Sequence, residues 1–189
     1  MTDKNKLIEL RWHGRGGQGA VTSAELLARA AISEDKYAQA FPSFGPERRG
    51  APVQAFVRIS SGEPIRIRAE ITQPDVVVVL DPGLLGIVNI ASGLKADGMA
   101  VINTKKSAEQ IKEEFGINSS LATVDATKIA MEVLGVRITN TTMVGAVLRA
   151  IEPVELESLY EPLRHRFGRL AERNIDAMKR AYEETLVKE

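Results

Sequence analysis

The residues with the clearest chemical pattern are glycines close to the N-terminus. Gly14, Gly16 and Gly19 satisfy G-x-G-x-x-G, directly after the apolar segment 7–12 and directly before a segment with helical periodicity. Glycine permits positive φ and close approach of the backbone to a ligand, and a helix N-terminus offers unpaired N–H groups and partial positive charge. The pattern is typical of a phosphate-binding turn. The candidate cofactor-binding or subunit-contact residues are the six of this loop: Gly14, Arg15, Gly16, Gly17, Gln18 and Gly19.

Three interpretations of this glycine-rich loop remain open. A dinucleotide site has an acidic residue at the end of the second strand, about 20 residues after the glycines. Here that strand ends at Phe41 and Pro42, and Glu34 and Asp35 precede it, which counts against NAD or FAD. The second interpretation is a tight turn that only packs a helix onto a sheet. The third is a loop that faces a ligand or a partner subunit.

A second candidate segment is the loop PSFGPERRGAP at 42–52, which is rich in proline and glycine and carries a charged tip. Arginine and aromatic residues are enriched in protein interfaces, and the planar guanidinium of arginine binds carboxylate or phosphate through paired hydrogen bonds. The alternative is a surface loop with a local Glu–Arg pair of little energetic value. The candidate interface residues are Phe44, Glu47, Arg48 and Arg49.

Polar residues also follow several predicted strands, at His13, Asp81, Asn103 and Asp125. In an open parallel sheet the carboxyl ends of the strands line the ligand crevice. However, Asp81 before Pro-Gly is also an ordinary turn residue, Asp125 an ordinary helix cap, and a lone histidine is more often packed than catalytic. No Ser–His–Asp set, carboxylate pair or P-loop lysine can be placed, so no catalytic residue is assigned.

The composition excludes several kinds of site. The chain has no cysteine, which rules out disulfides, thiol catalysis and a Cys-ligated iron–sulfur cluster within it. The two histidines, His13 and His165, are far apart, so no metal site is assigned. Lys+Arg and Asp+Glu are both 25, and this balance gives no indication of a nucleic-acid or membrane partner. With no secretory signal and no long apolar run, a cytoplasmic location is expected.

The elements that must position these residues follow from periodicity. Alternating or continuous apolar runs predict strands at 7–12, 37–41, 53–59, 65–69, 75–80, 99–103 and 121–125. Helical spacing predicts helices at about 18–33, 83–92, 107–115, 127–134 and 140–150, with a helical tail after Pro153. The turn SSGEP predicts a β-hairpin over 53–69. The sequence therefore predicts an α/β fold: a single Rossmann-like three-layer domain over 1–189, with a mainly parallel sheet and an antiparallel hairpin.

Four segments of the chain resemble the gamma subunit of the 2-oxoacid:ferredoxin oxidoreductase family, which includes pyruvate synthase and the 2-oxoisovalerate enzyme. They are RWHGRGGQGAVTSAELLARAA (11–31), AFPSFGPERRGAPVQAFVRIS (40–60), ITQPDVVVVLDP (71–82) and NTTMVGA (140–146). They occur in order over most of the chain. This combination is far more specific than the glycine-rich loop alone.

The resemblance implies a subunit of an enzyme that oxidatively decarboxylates a 2-oxoacid, with pyruvate as the first expectation, coenzyme A as acyl acceptor and ferredoxin as electron acceptor. In that family thiamine diphosphate, Mg and iron–sulfur clusters belong to the alpha, beta and delta partner subunits, and no cofactor is expected in this chain. Segments 14–19 and 41–50 are then expected near subunit contacts and coenzyme A. The alternatives are a paralogue specific for 2-oxoisovalerate or another 2-oxoacid, and a free-standing Rossmann-like nucleotide-binding module.

Overall fold

Strand β1 lies inside a seven-stranded sheet in the computed structural model, which describes residues 7–43 and 50–188. It pairs antiparallel with β3 on one side and parallel with β4 on the other. The strand order is β2-β3-β1-β4-β5-β6-β7. The strands are β1 Leu7–Arg15, β2 Tyr37–Pro42, β3 Pro52–Ser60, β4 Val76–Val79, β5 Met99–Asn103, β6 Ser120–Val124 and β7 Leu186–Lys188.

The parallel part of the sheet consists of β1, β4, β5 and β6. Its central strand β4 is four consecutive valines, all buried, because both of its faces are covered. The prediction that 75–80, 99–103 and 121–125 are neighbouring parallel strands is confirmed. Strand β7 was not predicted, because three exposed residues at the end of a helical tail carry no alternating pattern. It pairs antiparallel with β6.

The antiparallel hairpin is present, but its predicted position over 53–69 is wrong. The second strand of the hairpin was expected at 65–69, and residues 64–68 belong to no strand. Strand β3 instead pairs antiparallel with β2 on one edge and with β1 on the other. Because both edges of β3 are occupied, no edge is left to receive residues 65–69. The hairpin is therefore β2–β3.

Five of the six helices within the described residues cover one face of the sheet, and α2 covers the other. The helices are α1 Ala20–Ser33, α2 Ala108–Phe115, α3 Ala126–Leu134, α4 Asn140–Ile151, α5 Tyr160–Phe167 and α6 Ala171–Glu184. On the five-helix face, α4 and α6 approach closely at Gly145. A Cβ built on this glycine would lie 2.0 Å from the carbonyl oxygen of Met178.

The helix predicted at 83–92 on the opposite face is wrong. Only a single 3₁₀ turn forms there, at Pro82–Leu84, capped by the carboxylate of Asp81. Three glycines, Gly83, Gly86 and Gly93, lie within or beside this segment, and glycine is about 1 kcal/mol less favourable than alanine in a helix. Gly93 has φ +73° and approaches the Thr72 carbonyl oxygen so closely that a Cβ would lie 2.0 Å away.

A buried arginine holds this irregular segment on the sheet. Arg11, only 6% exposed, donates through Nη2 to the carbonyls of Ile90 (3.0 Å) and Ser92 (2.6 Å). Its Nε donates to Nε2 of His13 at 3.0 Å, and Nη1 reaches the carbonyl of Ile71 at 3.5 Å. No carboxylate in the described part of the chain pairs with this guanidinium, so carbonyl and imidazole acceptors replace the lost water.

Candidate functional site at the glycine-rich loop

The glycine-rich loop joins the end of β1 to the first turn of α1. Gly17 (φ +94°) and Gly19 (φ +82°) occupy the left-handed region, where a side chain is strained. Gly16 does not. Its N–H instead donates to the carbonyl of Ala51 at 3.0 Å. Gly19 is the N-cap of α1 and supplies no side-chain cap, so the amides of the first helical turn lack an intrahelical acceptor.

The loop lies beside the end of β4, where the connection after one strand leads to one side of the sheet and the connection after the next leads to the other side. After β1 the chain runs through α1 to the β2–β3 side of the sheet, and after β4 it runs to the β5–β6 side. In open α/β sheets the crevice at such a switch point, beyond the carboxyl ends of the strands, is where ligands bind. Asp81 follows β4 and faces the end of β1. The candidate site therefore lies where this fold class predicts a ligand crevice.

Asp81 locks the glycine-rich loop in place. Its Oδ2 accepts from Arg15 Nε and from Gln18 Nε2, both at 2.9 Å, and its Oδ1 accepts from the Gly83 N–H at 2.8 Å. Gln18 also accepts from the Arg15 N–H at 2.7 Å. The Arg15 and Gln18 donors that the sequence suggested for a ligand are thus used within the chain. These contacts fix the loop, and the N–H groups of Gly16 and Gln18 also donate within the chain, to the carbonyls of Ala51 and Arg15.

The protonation of Asp81 follows from these contacts. Partial burial acts to raise the pKa of the carboxyl, but the hydrogen bonds from Gln18, Gly83 and Arg15 and the charge of Arg15 outweigh it. The pKa of Asp81 is therefore below its ordinary value. The carboxylate stays ionised near neutral pH, so the contacts that hold the loop persist there.

The second predicted segment lies directly beside the first. Gly50 N–H donates to the carbonyl of Gly16 at 3.2 Å, and the Gly50 carbonyl accepts from Arg15 Nη1 at 3.2 Å. The C-terminal end of the loop 42–52 is thus joined to the glycine-rich loop. The four predicted interface residues, Phe44, Glu47, Arg48 and Arg49, lie outside the described residues, and their role stays a prediction.

The other strand-end residues have structural roles. His13 is 2% exposed and accepts from Arg11, and burial, with a smaller effect of the Arg11 charge, lowers the pKa of His13 to about 3. The amide of Asn103 joins the Leu80 carbonyl to Thr127 at the start of α3. Asp125 caps α3 by accepting from the Lys128 N–H at 2.9 Å. Of the four residues, only Asp81 has side-chain hydrogen bonds to the glycine-rich loop.

The topology of the sheet also bears on the dinucleotide interpretation. In a dinucleotide fold the second strand lies beside the first and places its acidic residue next to the glycines. Here the antiparallel strand β3 separates β1 from β2, and β2 ends at Phe41 and Pro42. The position for a ribose-binding acid is therefore one strand too far from the loop, and it holds no acid.

Sequence reasoning missed Asn140 as a site residue. The first residue of α4 touches the loop, because a Cβ built on Gly19 would lie 2.6 Å from Asn140 Nδ2. Asn140 and Gly19 line a cavity of about 310 Å³ together with Gly17 and residues from α3, α5 and α6. In the sequence, Asn140, Thr141 and Thr142 begin the predicted helix 140–150 and the segment NTTMVGA of the resemblance, without a site role. Three consecutive polar residues at the head of an otherwise apolar helix were the available signal.

Comparison with known proteins decides the family. Residues 9–184 match the family model described as pyruvate ferredoxin/flavodoxin oxidoreductase. The common gamma subunit of the pyruvate/ketoisovalerate oxidoreductases of Pyrococcus furiosus is 54% identical over 183 residues, which is 96% of this chain and 98% of that relative. The pyruvate synthase subunit PorC of Methanothermobacter marburgensis is 50% identical, covering 94% of this chain and 97% of that one. The chain belongs to the pyruvate ferredoxin/flavodoxin oxidoreductase family.

Solved structures agree with this assignment to a gamma subunit. The pyruvate oxidoreductase subunit PORC of Thermotoga maritima superposes with a TM-score of 0.87 at 40% identity, covering 97% of this chain and 99% of that one. The 2-oxoglutarate:ferredoxin oxidoreductase of Magnetococcus marinus, described with 2-oxoglutarate, coenzyme A and succinyl-CoA bound, shares the fold. It gives a TM-score of 0.76 at 19% identity over 94% of this chain and 31% of that chain.

Among residues 7–43 and 50–188, no group of three or more His, Asp or Glu side chains is arranged to hold a metal ion. None of the helices described for these residues has the length and apolar content needed to cross a membrane.

Proposed function

We propose that this gamma subunit contributes a rigid coenzyme A-facing loop to a pyruvate:ferredoxin oxidoreductase, and that partner chains carry out the redox chemistry. The observation that carries the proposal is the uncapped N-terminus of α1, beside a glycine-rich loop that Asp81 locks at the switch point of the sheet. Fixed backbone N–H groups of this kind suit the diphosphate of coenzyme A. The Magnetococcus marinus relative, which has coenzyme A bound, supports this ligand class through its shared fold.

The remaining chemistry is proposed to lie in the alpha, beta and delta subunits, which would hold thiamine diphosphate, Mg and the iron–sulfur clusters. A chain without cysteine supplies no thiolate for a cluster. Pyruvate is the proposed 2-oxoacid because the relative at 50% identity is named for pyruvate alone, and the relative at 54% identity for pyruvate and ketoisovalerate together. The cytoplasmic location expected from the sequence is part of the proposal.

A glycine substitution in the assembled complex tests the coenzyme A contact. Gly17 has φ +94° and free space around an added Cβ, so Gly17→Ala places a methyl group on the ligand-facing side of the loop. We expect the KM for coenzyme A to rise about tenfold, with the KM for pyruvate unchanged. Gly116→Ala is the matched control, because Gly116 also has positive φ and free space but caps the far end of α2. An equal KM for coenzyme A in both variants would remove the loop from the ligand site.

The isolated chain tests the division of labour. Purified alone, it should show no visible absorption band and no pyruvate- and coenzyme A-dependent reduction of viologen. The complete complex should show both. Turnover by the single chain would contradict the proposal. Assaying the complex with pyruvate and 2-oxoisovalerate in parallel distinguishes a pyruvate enzyme from the branched-chain alternative.

A further inference from the structure

The cavity beside the glycine-rich loop opens onto a corner of the molecule with an apolar centre. Its outer wall includes Val136 and Ile138, each 46% exposed, and Leu170, 51% exposed. Val136 and Ile138 belong to the short connection between α3 and α4, and Leu170 precedes α6. Three large apolar side chains around one cavity form a patch, which differs from the single exposed apolar residues normal on a protein surface.

Unpaired arginines adjoin these apolar residues in the sequence, and one of them lines the cavity. Arg137, Arg169 and Arg173 form no ion pair or side-chain hydrogen bond with any residue that the structure describes, and Arg173 lines the cavity. Two other arginines of the same helical region behave differently. Arg164 pairs with Glu161 and Glu172, and Arg180 pairs with Glu132 and Glu184.

A buried amide adds a directional contact to the cavity. Asn140 is 7% exposed and lines the cavity. Its Oδ1 accepts from the Thr141 N–H at 2.8 Å, whereas its Nδ2 has no acceptor among the described residues. Because the residue is mostly buried, few water molecules can reach this amide, and an incoming group that supplies an oxygen can accept its hydrogen bond.

We infer that this corner surface, composed of Val136, Arg137, Ile138, Phe167, Arg169, Leu170 and Arg173, docks a partner subunit of the same complex. The partner inserts one apolar side chain into the cavity, flanks it with carboxylates that pair with the arginines, and presents a backbone carbonyl to Asn140. An apolar anchor in a pocket with a charged rim is the usual arrangement of an interface hot spot. The positive rim requires an acidic partner surface.

The charge pattern favours this occupant over a second copy of the chain. A two-fold dimer through this surface would place the same arginines of both copies close to one another, and like charges facing each other cost several kcal/mol. The inference rests on the proposed assembly with partner subunits. Gly17 lines the same cavity, but the inference is carried by Val136, Ile138, Leu170 and the arginines and not by the proposed contact between Gly17 and coenzyme A.

The test uses the chain tagged and titrated with the other subunits of its complex, with the dissociation constant as the readout. Ile138→Glu should weaken binding about tenfold or more, because it places a charge against an apolar anchor. Arg173→Glu should weaken it about three- to tenfold, with a larger effect at low ionic strength. Ile32→Glu is the matched control, because Ile32 is an exposed isoleucine, 56% exposed, at the opposite end of α1. It should change binding less than twofold.

Three further readouts separate the alternatives. Both variants should keep the thermal unfolding midpoint of the wild-type chain, because the altered side chains are exposed. An unchanged dissociation constant in both variants overturns the inference, as does an effect confined to the KM for coenzyme A, which would assign the cavity to a small ligand. Self-association of the wild-type chain that Ile138→Glu abolishes, with partner binding intact, would assign the surface to a second copy. Failure of the wild-type chain to bind the other subunits would instead contradict the proposed function, and this inference with it.

Discussion

The two faces of the sheet are covered in different ways. On one face, α1, α3, α4, α5 and α6 pack through a continuous apolar core that includes Trp12, Leu27 and Met143. On the other face, α2 covers only part of the sheet, and the irregular segment 82–98 lies beside it. That segment is held by hydrogen bonds from the buried Arg11.

The two faces show two ways to cover a sheet while satisfying the backbone groups of the covering segment. A helix satisfies its own backbone groups, so it can cover a sheet with apolar side chains alone. An irregular segment leaves its carbonyls unpaired and needs a buried donor to cover the same area. The helical face should therefore be sensitive to shape, and the irregular face to the loss of one guanidinium and to pH.

The largest expected effect is that of Arg11→Met. The substitution removes the donors to the Ile90 and Ser92 carbonyls and to His13, and each buried acceptor left unpaired costs about 1–3 kcal/mol. We expect a loss of about 3–5 kcal/mol in the free energy of unfolding, measured by urea titration. Arg66→Met, at an exposed arginine, is the control and should stay within about 0.5 kcal/mol. Equal stability of the two variants would mean that apolar contacts alone hold the second face.

Gly145→Ala tests the shape sensitivity of the helical face. The added Cβ would lie 2.0 Å from the Met178 carbonyl oxygen, a backbone atom that moves only if α6 moves. We expect a loss of about 2–3 kcal/mol, typical of an overpacked core. Gly86→Ala is the matched control on the irregular face, since its added Cβ meets no atom within 4 Å. A neutral Gly145→Ala would show that α4 and α6 can slide apart at little cost.

The irregular face should also lose stability in mild acid through His13. The pKa of His13 is about 3 in the folded chain against about 6.5 in the unfolded chain. Between these values the unfolded state binds the extra proton, so stability falls as pH falls. The loss between pH 7 and pH 5 is about 2 kcal/mol. His13→Gln keeps a side-chain acceptor for Arg11 without titrating, so its unfolding free energy should be flatter over this range. Identical pH profiles for the two proteins would exclude His13 as the cause.

The smallest effect is expected from an exposed ion pair on the irregular side. Lys95 Nζ lies 2.7 Å from Asp75 Oδ1, with the two side chains 37% and 29% exposed. Such pairs contribute under about 1 kcal/mol because water and salt screen them. Lys95→Met should therefore shift the midpoint of thermal unfolding only slightly. A loss of unfolding free energy comparable to that of Arg11→Met would show that exposed polar contacts stabilise this face as much as buried ones do.

The sequence predicted the helical face better than the irregular one, for a physical reason. Helical and strand periodicities are local, so α1, α2, α3, α4 and the three parallel strands after β1 could be placed from the residues alone. The failures at 65–69 and 83–92 depend on distant partners. Residues 65–69 form no strand in the sheet because β1 and β2 already occupy both edges of β3. Segment 83–92 is not a helix because its glycines disfavour one and because Arg11 binds its carbonyls in an irregular conformation.

The candidate site also combines features that local sequence predicts with features that depend on distant residues. The glycine pattern located the loop because positive φ at Gly17 and Gly19 is a local property. The use of Arg15 and Gln18 to bind Asp81 could not be foreseen, because Asp81 lies more than 60 residues further along the chain. Asn140 escaped notice for the same reason, since only the packing of α4 brings it against Gly19.

The internal position of β1 also has a consequence for how the chain is made. Leu10 is paired with Val57 on one side and with Val76 on the other, so the ribosome releases β1 well before either neighbour exists. Synthesis adds about 5–20 residues per second, and the apolar residues of β1 and α1 therefore wait several seconds without the sheet that covers them. Non-local pairing of this kind folds slowly and exposes the chain to aggregation. During that interval the nascent chain is a natural client for chaperones.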